Sequence, residues 1–331
     1  MAAHEIYARE LGQLQHGEAL WVPEPNGYDE TRVGDVGYIA NGVFSKLFNA
    51  IAHADDPINL GFEVPDDFEP LVLRPNTLYK NDNFFRPGAY HGYSISRFDI
   101  DASITGFVII TASLLSSDTF FIRSAAAGVG IQFQASDTQG ALLFLRRKAI
   151  REDVNHARRK VFEDYIRKHY KSWYTYARQQ DLEFPNGQIM LVTGCDKTAE
   201  WDSAVFSSNS KGAAITLFGG LPTVASGELS ISSARESGTS VQCRSGPVCG
   251  SESTLKYDQT IFIRGYRVCE RHWFGPKIIK AAMEPQSPQS EDQEPDQEFI
   301  LVDEEHPDSA NLILESIPPD RQVSELLFKC F

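Results

Sequence analysis

Residues 150–178 read IREDVNHARRKVFEDYIRKHYKSWYTYAR, and their apolar side chains recur at three- and four-residue spacing. This spacing places the apolar side chains on one face of an α-helix and the charged side chains on the other. The pattern predicts one long amphipathic helix within 150–180, which ends before Pro185 and the Asn186-Gly187 turn. The apolar face should pack on the rest of the protein, so we expect Val161 and Trp173 to be core residues.

Strand patterns flank this helix on both sides. Before it, apolar and polar residues alternate from Tyr93 onward, and short Ser, Asp and Gly clusters separate the strand-like runs. After it, the strand pattern resumes at Gln188 and continues to Val268. The gaps before the helix are too short for the crossovers that parallel strands need. The predicted fold class is α+β: a mostly antiparallel, twisted sheet with one long basic amphipathic helix packed on it.

The chain should divide into a globular body and a tail. Residues 1–280 form the predicted body, in which the proline-crowded stretch 50–92 is an irregular excursion with few regular elements. The side chains expected to hold this excursion to the body are Phe62, Phe68, Phe84 and Phe85. Residues 284–331 are rich in Pro, Gln, Ser, Glu and Asp, a composition that cannot bury enough apolar surface to become ordered. We therefore expect a disordered acidic C-terminal tail with short apolar islands.

Composition and charge limit the classes of function. The chain has 331 residues and a formal net charge of −14, which disfavours nucleic acid as a ligand because the phosphate backbone is also negative. Its five cysteines are too sparse, and odd in number, for a disulfide framework. No apolar run reaches the length of a transmembrane segment. These features predict a soluble cytoplasmic protein.

One basic segment lies between acidic ones. Residues 146–178 hold eleven Lys and Arg against four Asp and Glu, a net charge of +7, whereas residues 276–331 carry −9. A basic amphipathic helix can bind anionic lipid or a protein partner, or its cations can simply be solvated and covered by the acidic tail. The candidate lipid- or partner-binding residues are Arg147, Lys148, Arg151, Arg158, Arg159, Lys160, Arg167, Lys168 and Lys171.

Three cysteines and a histidine are candidate metal ligands. Zn²⁺ prefers thiolate and imidazole donors, and Cys269 and His272 are close enough in sequence to chelate one ion. The other pair, Cys243 and Cys249, is separated by five residues, which is wider than in a zinc knuckle. Free thiols on strands are the alternative interpretation. No other cofactor is predicted.

The tail contains a motif of the peptide-binding type. An apolar island formed by Phe299, Ile300, Leu301 and Val302 precedes three acidic residues at 303–305. This arrangement resembles a SUMO-interacting motif, in which a short strand adds to the edge of a sheet and acidic residues meet a basic rim. The island can alternatively dock on its own domain.

The hexapeptide TGCDKT at 193–198 resembles the phosphorylated loop of P-type ATPases, although the Gly-Thr that continues that motif is missing. We expect instead a hairpin turn in which Asp196 bonds its own backbone. The chain has no Gly-x-Ser-x-Gly elbow and no phosphate-binding Gly-x-x-x-x-Gly-Lys loop. The sequence therefore lacks a motif that would name a reaction.

Four stretches resemble a family of uncharacterised proteins common in mushroom-forming fungi. They are 20–25 (LWVPEP), 34–38 (GDVGY), 191–198 (LVTGCDKT) and 262–266 (FIRGY). This resemblance implies a fungal cytosolic protein and brings no activity with it.

The order of elements resembles a second family. A twisted antiparallel sheet interrupted by a basic helix and continued by a strand at 186–193 is similar to the pore-forming domain of gasdermins. That resemblance implies binding of acidic lipids through basic residues, with a C-terminal segment that holds the domain silent. The leading hypothesis is a non-enzymatic intracellular interaction protein. The first alternative is a gasdermin-like binder or pore-former of anionic membranes restrained by its acidic tail, and the second is an unrecognised hydrolase.

Removal of the tail should leave the body folded. A chain that ends at Met283 should keep the thermal unfolding midpoint of the full-length protein, because the deleted composition cannot support a core. Calorimetry on both chains provides the test, with limited proteolysis of the full chain as a second measurement. A truncated chain that unfolds or precipitates would contradict this expectation.

Overall fold

A computed structural model describes residues 1–26, 29–102, 128–209, 214–220, 229–234, 239–247, 255–271 and 275–280. The tail at 284–331 lies outside the described residues. The helices and strands are, in chain order, α1 (Ala3–Gly12), β1 (Glu18–Ala19), β2 (Asp35–Ala40), β3 (Val43–Asn49), β4 (Leu78–Phe85), β5 (Gly88–His91), β6 (Ile95–Ala102), β7 (Gly128–Ala135), β8 (Gln139–Leu145), β9 (Ala149–Val154), α2 (Arg159–Gln179), β10 (Met190–Thr198), β11 (Trp201–Ser207), β12 (Ala214–Gly220), β13 (Leu229–Ala234), β14 (Ser240–Ser245), β15 (Gln259–Arg271) and β16 (Gly275–Lys280). The predicted α+β class, with antiparallel sheets and one long helix, is confirmed.

The first sheet is built on the long antiparallel pair of β10 and β15, which runs from Met190 opposite Arg267 to Thr198 opposite Gln259. The other edge of β10 pairs first with β2 and then, from Gly194 on, with β9. The other edge of β15 pairs with β1 in one half and with β16 in the other. Strands β3 and β4 complete the sheet beyond β2 and β9. The sheet therefore has two halves that share β10 and β15 as their centre.

The second and third sheets have four strands each, in matching order. The second runs β5-β8-β11-β14 and the third runs β6-β7-β12-β13. Each strand of one sheet is the chain neighbour of the strand at the same place in the other. The two sheets therefore share one antiparallel strand order.

The two helices pack on different parts of the fold. The apolar stripe of α2, which includes the buried Phe162, Ile166 and Trp173, joins Phe48 and Leu191 of the first sheet in one core cluster. Helix α1 packs on β1, β5, β8 and β11. The long helix thus covers the first sheet, as the sequence predicts, and Trp173 is confirmed as a core residue.

The predicted helix starts too early in the chain. Residues 149–154 form β9, and a 3₁₀ turn at 156–158 precedes α2. Strand β9 hydrogen-bonds to β10 on one edge and to β4 on the other, and these pairings override a helical pattern carried here only by Ile150 and Val154. Val161 is 38% exposed, so its prediction as a core residue is wrong. The buried stripe begins one residue later, at Phe162, about 100° further around the helix.

The excursion at 50–92 contains two strands, both near its end. Among the described residues no helix or strand occurs from 50 to 77, but the rest of the excursion supplies β4 and β5. Its predicted aromatic anchors are confirmed. The ring of Phe68 meets Phe48 edge-on at 5.7 Å, and Phe85 is 2% exposed in the core that α1 covers. The Phe84 ring lies 3.5 Å from the guanidinium carbon of Arg151, and the Phe62 ring lies 4.7 Å from the amine of Lys46.

Two neighbouring residues of α2 should respond differently to truncation. Phe162→Ala should lower the free energy of unfolding by about 3–5 kcal/mol, because it leaves a cavity between α2 and the first sheet. Val161→Ala should change it by no more than about 0.5 kcal/mol, since this side chain is exposed. Urea denaturation measures both, and equal losses would show that α2 is not seated as described.

Candidate functional site

The nine predicted binding residues do not form one surface. Arg147, Lys148 and Arg151 precede α2, where Arg147 contacts Glu200 at 3.4 Å and Lys148 is half-buried. Arg151 lies in β9 and is only 3% exposed. Its prediction as a lipid- or partner-binding residue is therefore wrong, because β9 turns the side chain into the protein and not toward solvent.

Arg151 belongs to a buried ion network centred on Asp196, which is completely buried in β10. The Nε and Nη2 atoms of Arg151 donate to the two carboxylate oxygens of Asp196 at 2.8 and 2.9 Å. Arg264 of β15 donates to the same carboxylate at 2.8 and 3.1 Å, and its Nε donates to Asp153 at 3.0 Å. Burial raises the pKa of Asp196, but Arg264 and Arg151 outweigh burial and hold this pKa below its usual value. Asp196 is therefore the shared anion of two arginines.

The rest of the TGCDKT hexapeptide also serves this network. Gly194 lies between Asp153 and Arg264, and a β-carbon there would come within 2.4 Å of the Asp153 carboxylate. Lys197 donates to Glu152 at 3.0 Å, and burial raises the pKa of the neighbouring Cys195 to about 12. The predicted hairpin turn is thus wrong: the hexapeptide is the end of a fully buried central strand. Its aspartate is closed off from any phosphate donor.

The six remaining cations lie on α2 or immediately before it. They are Arg158, Arg159, Lys160, Arg167, Lys168 and Lys171. Acidic residues of the excursion lie along the same helix: Lys168 pairs with Glu69, and the Tyr176 hydroxyl donates to the Glu63 carbonyl at 2.6 Å. The segment 63–69 carries four carboxylates, so it weakens the positive potential on this flank of α2. The exposed basic surface is smaller than the sequence predicts.

The third sheet has two chemically different faces. Its register pairs Ile100 with Ile131, Ile131 with Leu217, and Leu217 with Ile231. Paired residues share a face and successive residues alternate between faces, so this row and its neighbours two residues away lie on one side. The residues of this apolar face are Phe98, Ile100, Ala102, Val129, Ile131, Phe133, Ile215, Leu217, Leu229 and Ile231. The opposite face carries Arg97, Asp99, Asp101, Gln132, Gln134, Thr216 and Ser230, with Phe218 as its large apolar residue.

Among the described residues, the helices pack mainly on the other two sheets. Helix α1 packs on the second sheet and β1, and α2 packs on β10 and β15. The row of apolar register positions in the third sheet is a second candidate, which the sequence reasoning missed. Alternation in β6 is readable from the sequence, but only the register shows that four strands contribute to the same face. Neither described helix combines the length and apolar character needed to cross a membrane.

The other predicted sites fall partly or wholly outside the described residues. Cys243 lies on β14 of the second sheet, where burial raises the pKa of its thiol to about 11. The backbone of Cys269 lies on β15 of the first sheet, while Cys249 and His272 are outside the description. The zinc site therefore stays a prediction. The tail motif Phe299, Ile300, Leu301 and Val302 is likewise outside the described residues.

Cavities beside the described residues include one at the end of α2 and one beside Asp35. The larger, about 250 Å³, lies at the end of α2 against Tyr174 and Phe184. The smaller, about 40 Å³, is polar and lies beside Asp35 and Lys46, with room for one or two water molecules. Burial raises the pKa of Asp35 to about 6, although Lys46 at 3.7 Å and a hydrogen bond from Asn49 favour the ionised form. Asp35 is thus a carboxyl group whose ionisation opposes folding.

Comparisons of the chain with protein-family models, curated proteins and solved structures found no match. The resemblances to a fungal family and to the gasdermin pore-forming domain therefore stay predictions.

Asp35 should leave a signature in the pH dependence of stability. Its folded-state pKa lies above its ordinary value of 3.8, so its stabilising contribution is complete below about pH 4 and is lost as the pH rises through about 6. Asparagine does not ionise at this position. The quantity to follow is the midpoint of thermal unfolding of Asp35→Asn minus that of the wild type. This difference should increase between about pH 4 and 6 and then level off. A difference that stays constant over this range would contradict the raised pKa.

Proposed function

We propose that the protein is a non-enzymatic intracellular interaction protein whose partner is a lipid bilayer, reached through the apolar face of the third sheet. The observation that carries this proposal is the register, which gathers ten apolar residues from four strands onto one face. A large apolar face that reaches the surface of a protein is typical of an interaction site. The opposite, mostly polar face is suited to remain in water.

The composition of the apolar face favours lipid over a protein partner. Protein interfaces combine an apolar centre with hydrogen-bonding groups, and Tyr, Trp and Arg are enriched there. The ten residues of this face are aliphatic or Phe, and none has a polar side chain that could orient a partner. Lipid hydrocarbon has no hydrogen-bonding groups, so binding to it does not require polar side chains on the apolar face. The inner strands β7 and β12 are paired on both edges, so most of their backbone groups would remain satisfied next to lipid.

Charge would act in both directions on binding to anionic lipid. Lys160 and Lys171 are exposed on α2, and a cation near an anionic membrane surface contributes about 1 kcal/mol. The carboxylates of 63–69 and of the acidic tail act in the opposite direction. This balance is in line with the gasdermin-like order of elements, in which basic residues bind acidic lipids and a C-terminal segment restrains them.

The proposal is tested by a matched pair of substitutions in β7. Ile131→Asp places a charge on the apolar face, and Gln132→Asp places the same charge one residue away on the polar face. A charge in hydrocarbon costs about 2.5–3.5 kcal/mol, so Ile131→Asp should weaken vesicle binding by about 70-fold or more. Gln132→Asp should bind like the wild type. Cosedimentation with phosphatidylcholine vesicles, with and without phosphatidylserine, measures binding, and thermal unfolding controls for the fold.

Two results would contradict the proposal. One is the absence of binding by the wild-type protein to either kind of vesicle at both low and high salt, which would favour a protein partner. The other is an equal effect of both substitutions, which would exclude the apolar face as the binding surface. Release of a trapped dye from the same vesicles separates a pore-former from a binder that stays at the surface.

A further inference from the structure

Strand β4 forms one edge of the first sheet. It pairs with β9 on one side, and within the described part of the chain no strand pairs with its other side, which we call the open edge. The side chains of 78–83 are all exposed, and two of them, Leu78 and Tyr79, are large apolar residues that are each 44% exposed. The backbone groups of an exposed edge are a template for pairing with another strand. The open edge is therefore a candidate binding surface for a strand.

The pairing of β4 with β9 shows which backbone groups reach the open edge. The amide of Asn155 donates to the carbonyl of Thr77 at 2.8 Å, directly before the first paired residues of the two strands. Hydrogen-bonded and non-hydrogen-bonded pairs alternate along an antiparallel ladder. The odd-numbered residues up to Asn81 therefore bond to β9. The even-numbered residues, Lys80 and by the same alternation Asp82, direct their amide and carbonyl groups to the open edge.

This alternation limits how two copies of β4 can pair antiparallel about a twofold axis, since even-numbered residues must face even-numbered residues. An axis at Lys80 would place two lysines opposite each other, and an axis at Asp82 would do the same with two aspartates. An axis at Tyr79 would place Lys80 opposite Leu78. An axis at Asn81 places Lys80 of each copy opposite Asp82 of the other. Opposite charges at facing positions stabilise a strand pair and like charges destabilise it, so β4 complements itself in the register centred on Asn81.

The charges at the open edge disfavour the acidic tail as the added strand. Lys80 lies 3.4 Å from Glu152 of β9 and 3.7 Å from Asp82, so two carboxylates already share one amine. The acidic residues 303–305, next to the apolar island of the tail, would bring further negative charge. A second copy of β4 instead brings a lysine to each aspartate at the facing positions.

We infer that the protein associates with a second copy of itself through the open edge of β4, in an antiparallel pairing centred on Asn81 that joins the two first sheets. This inference does not depend on binding to lipid. The strand contributes only residues 78–83 on each side, whereas a standard protein interface has about 20–30 residues a side. The dimer is therefore a reversible one, which forms at about micromolar concentrations and above.

Sedimentation velocity of the full chain from about 1 to 300 µM tests the dimer, in about 0.15 M salt to screen the repulsion between two acidic copies. Lys80→Asp places aspartate opposite aspartate at both facing positions, and Asp82→Lys places lysine opposite lysine. Each variant alone should associate about tenfold more weakly than the wild type. Lys160→Asp, at an exposed position of α2, is the matched control and should associate like the wild type. Thermal unfolding of each variant controls for the fold.

An equimolar mixture of Lys80→Asp and Asp82→Lys gives the sharper test. In a pair made of one chain of each variant, both facing positions again combine opposite charges. The mixture should therefore recover the association of the wild type, although each variant alone is weak. This recovery would also show that both variants keep the strand in place.

Three results would overturn the inference. The first is a wild-type protein that stays monomeric over the whole range of concentration. If a chain that ends at Met283 then forms dimers, the tail occupies the open edge in place of a second copy. The second is association of Lys80→Asp and Asp82→Lys that equals that of the wild type, which would place the contact elsewhere. The third is a mixture that associates as weakly as its two components.

Discussion

The completely buried carboxylate of Asp196 is held between Arg151 of β9 and Arg264 of β15, and the centre of the first sheet depends on this arrangement. A buried ion pair adds little net stability compared with a well-packed apolar pair, but loss of one partner leaves an unpaired charge and costs about 3–5 kcal/mol. A slip of either neighbouring strand by one residue would move its arginine to the other face of the sheet. The network therefore acts mainly on register, because alternative pairings of β9, β10 and β15 would bury an unpaired charge.

The same network also positions the N-terminal part of the chain. Arg264 donates to the carbonyl oxygen of His16 at 2.6 Å, and Arg151 lies 3.3 Å from the Nδ1 atom of this histidine. His16 follows α1 by only a few residues, so the end of α1 is fixed relative to β9 and β15. Gln13, just after α1, accepts a hydrogen bond from the amide of Tyr93 at 2.8 Å, so the network also helps to position the segment before β6.

The sequence predicts the fold class because the signals for it are local. The stripe of α2 repeats over many turns, and Trp173 falls within it, so one misplaced position such as Val161 does not obscure the helix. The sequence does not predict features that depend on which strands pair with each other. Ile150 and Val154 fit a helix as well as a strand, and only the edges of β10 and β4 decide between the two. Arg151 and Arg264 lie 45 and 68 residues from Asp196, so the sequence around Asp196 read as a polar turn.

The basic helix and the proposed apolar face imply different forces. A basic helix would draw the protein to an anionic membrane over a distance of about 8–10 Å at physiological salt, and added salt would weaken the attraction. The chain as a whole carries −14, however, and the carboxylates of 63–69 lie along α2. Long-range electrostatics therefore repels the protein from an anionic surface, and the apolar face can act only on contact. Added salt would then screen mainly the repulsion between the acidic protein and the anionic membrane. Binding through an apolar face should therefore strengthen as the salt concentration rises. Binding through a basic helix should weaken instead.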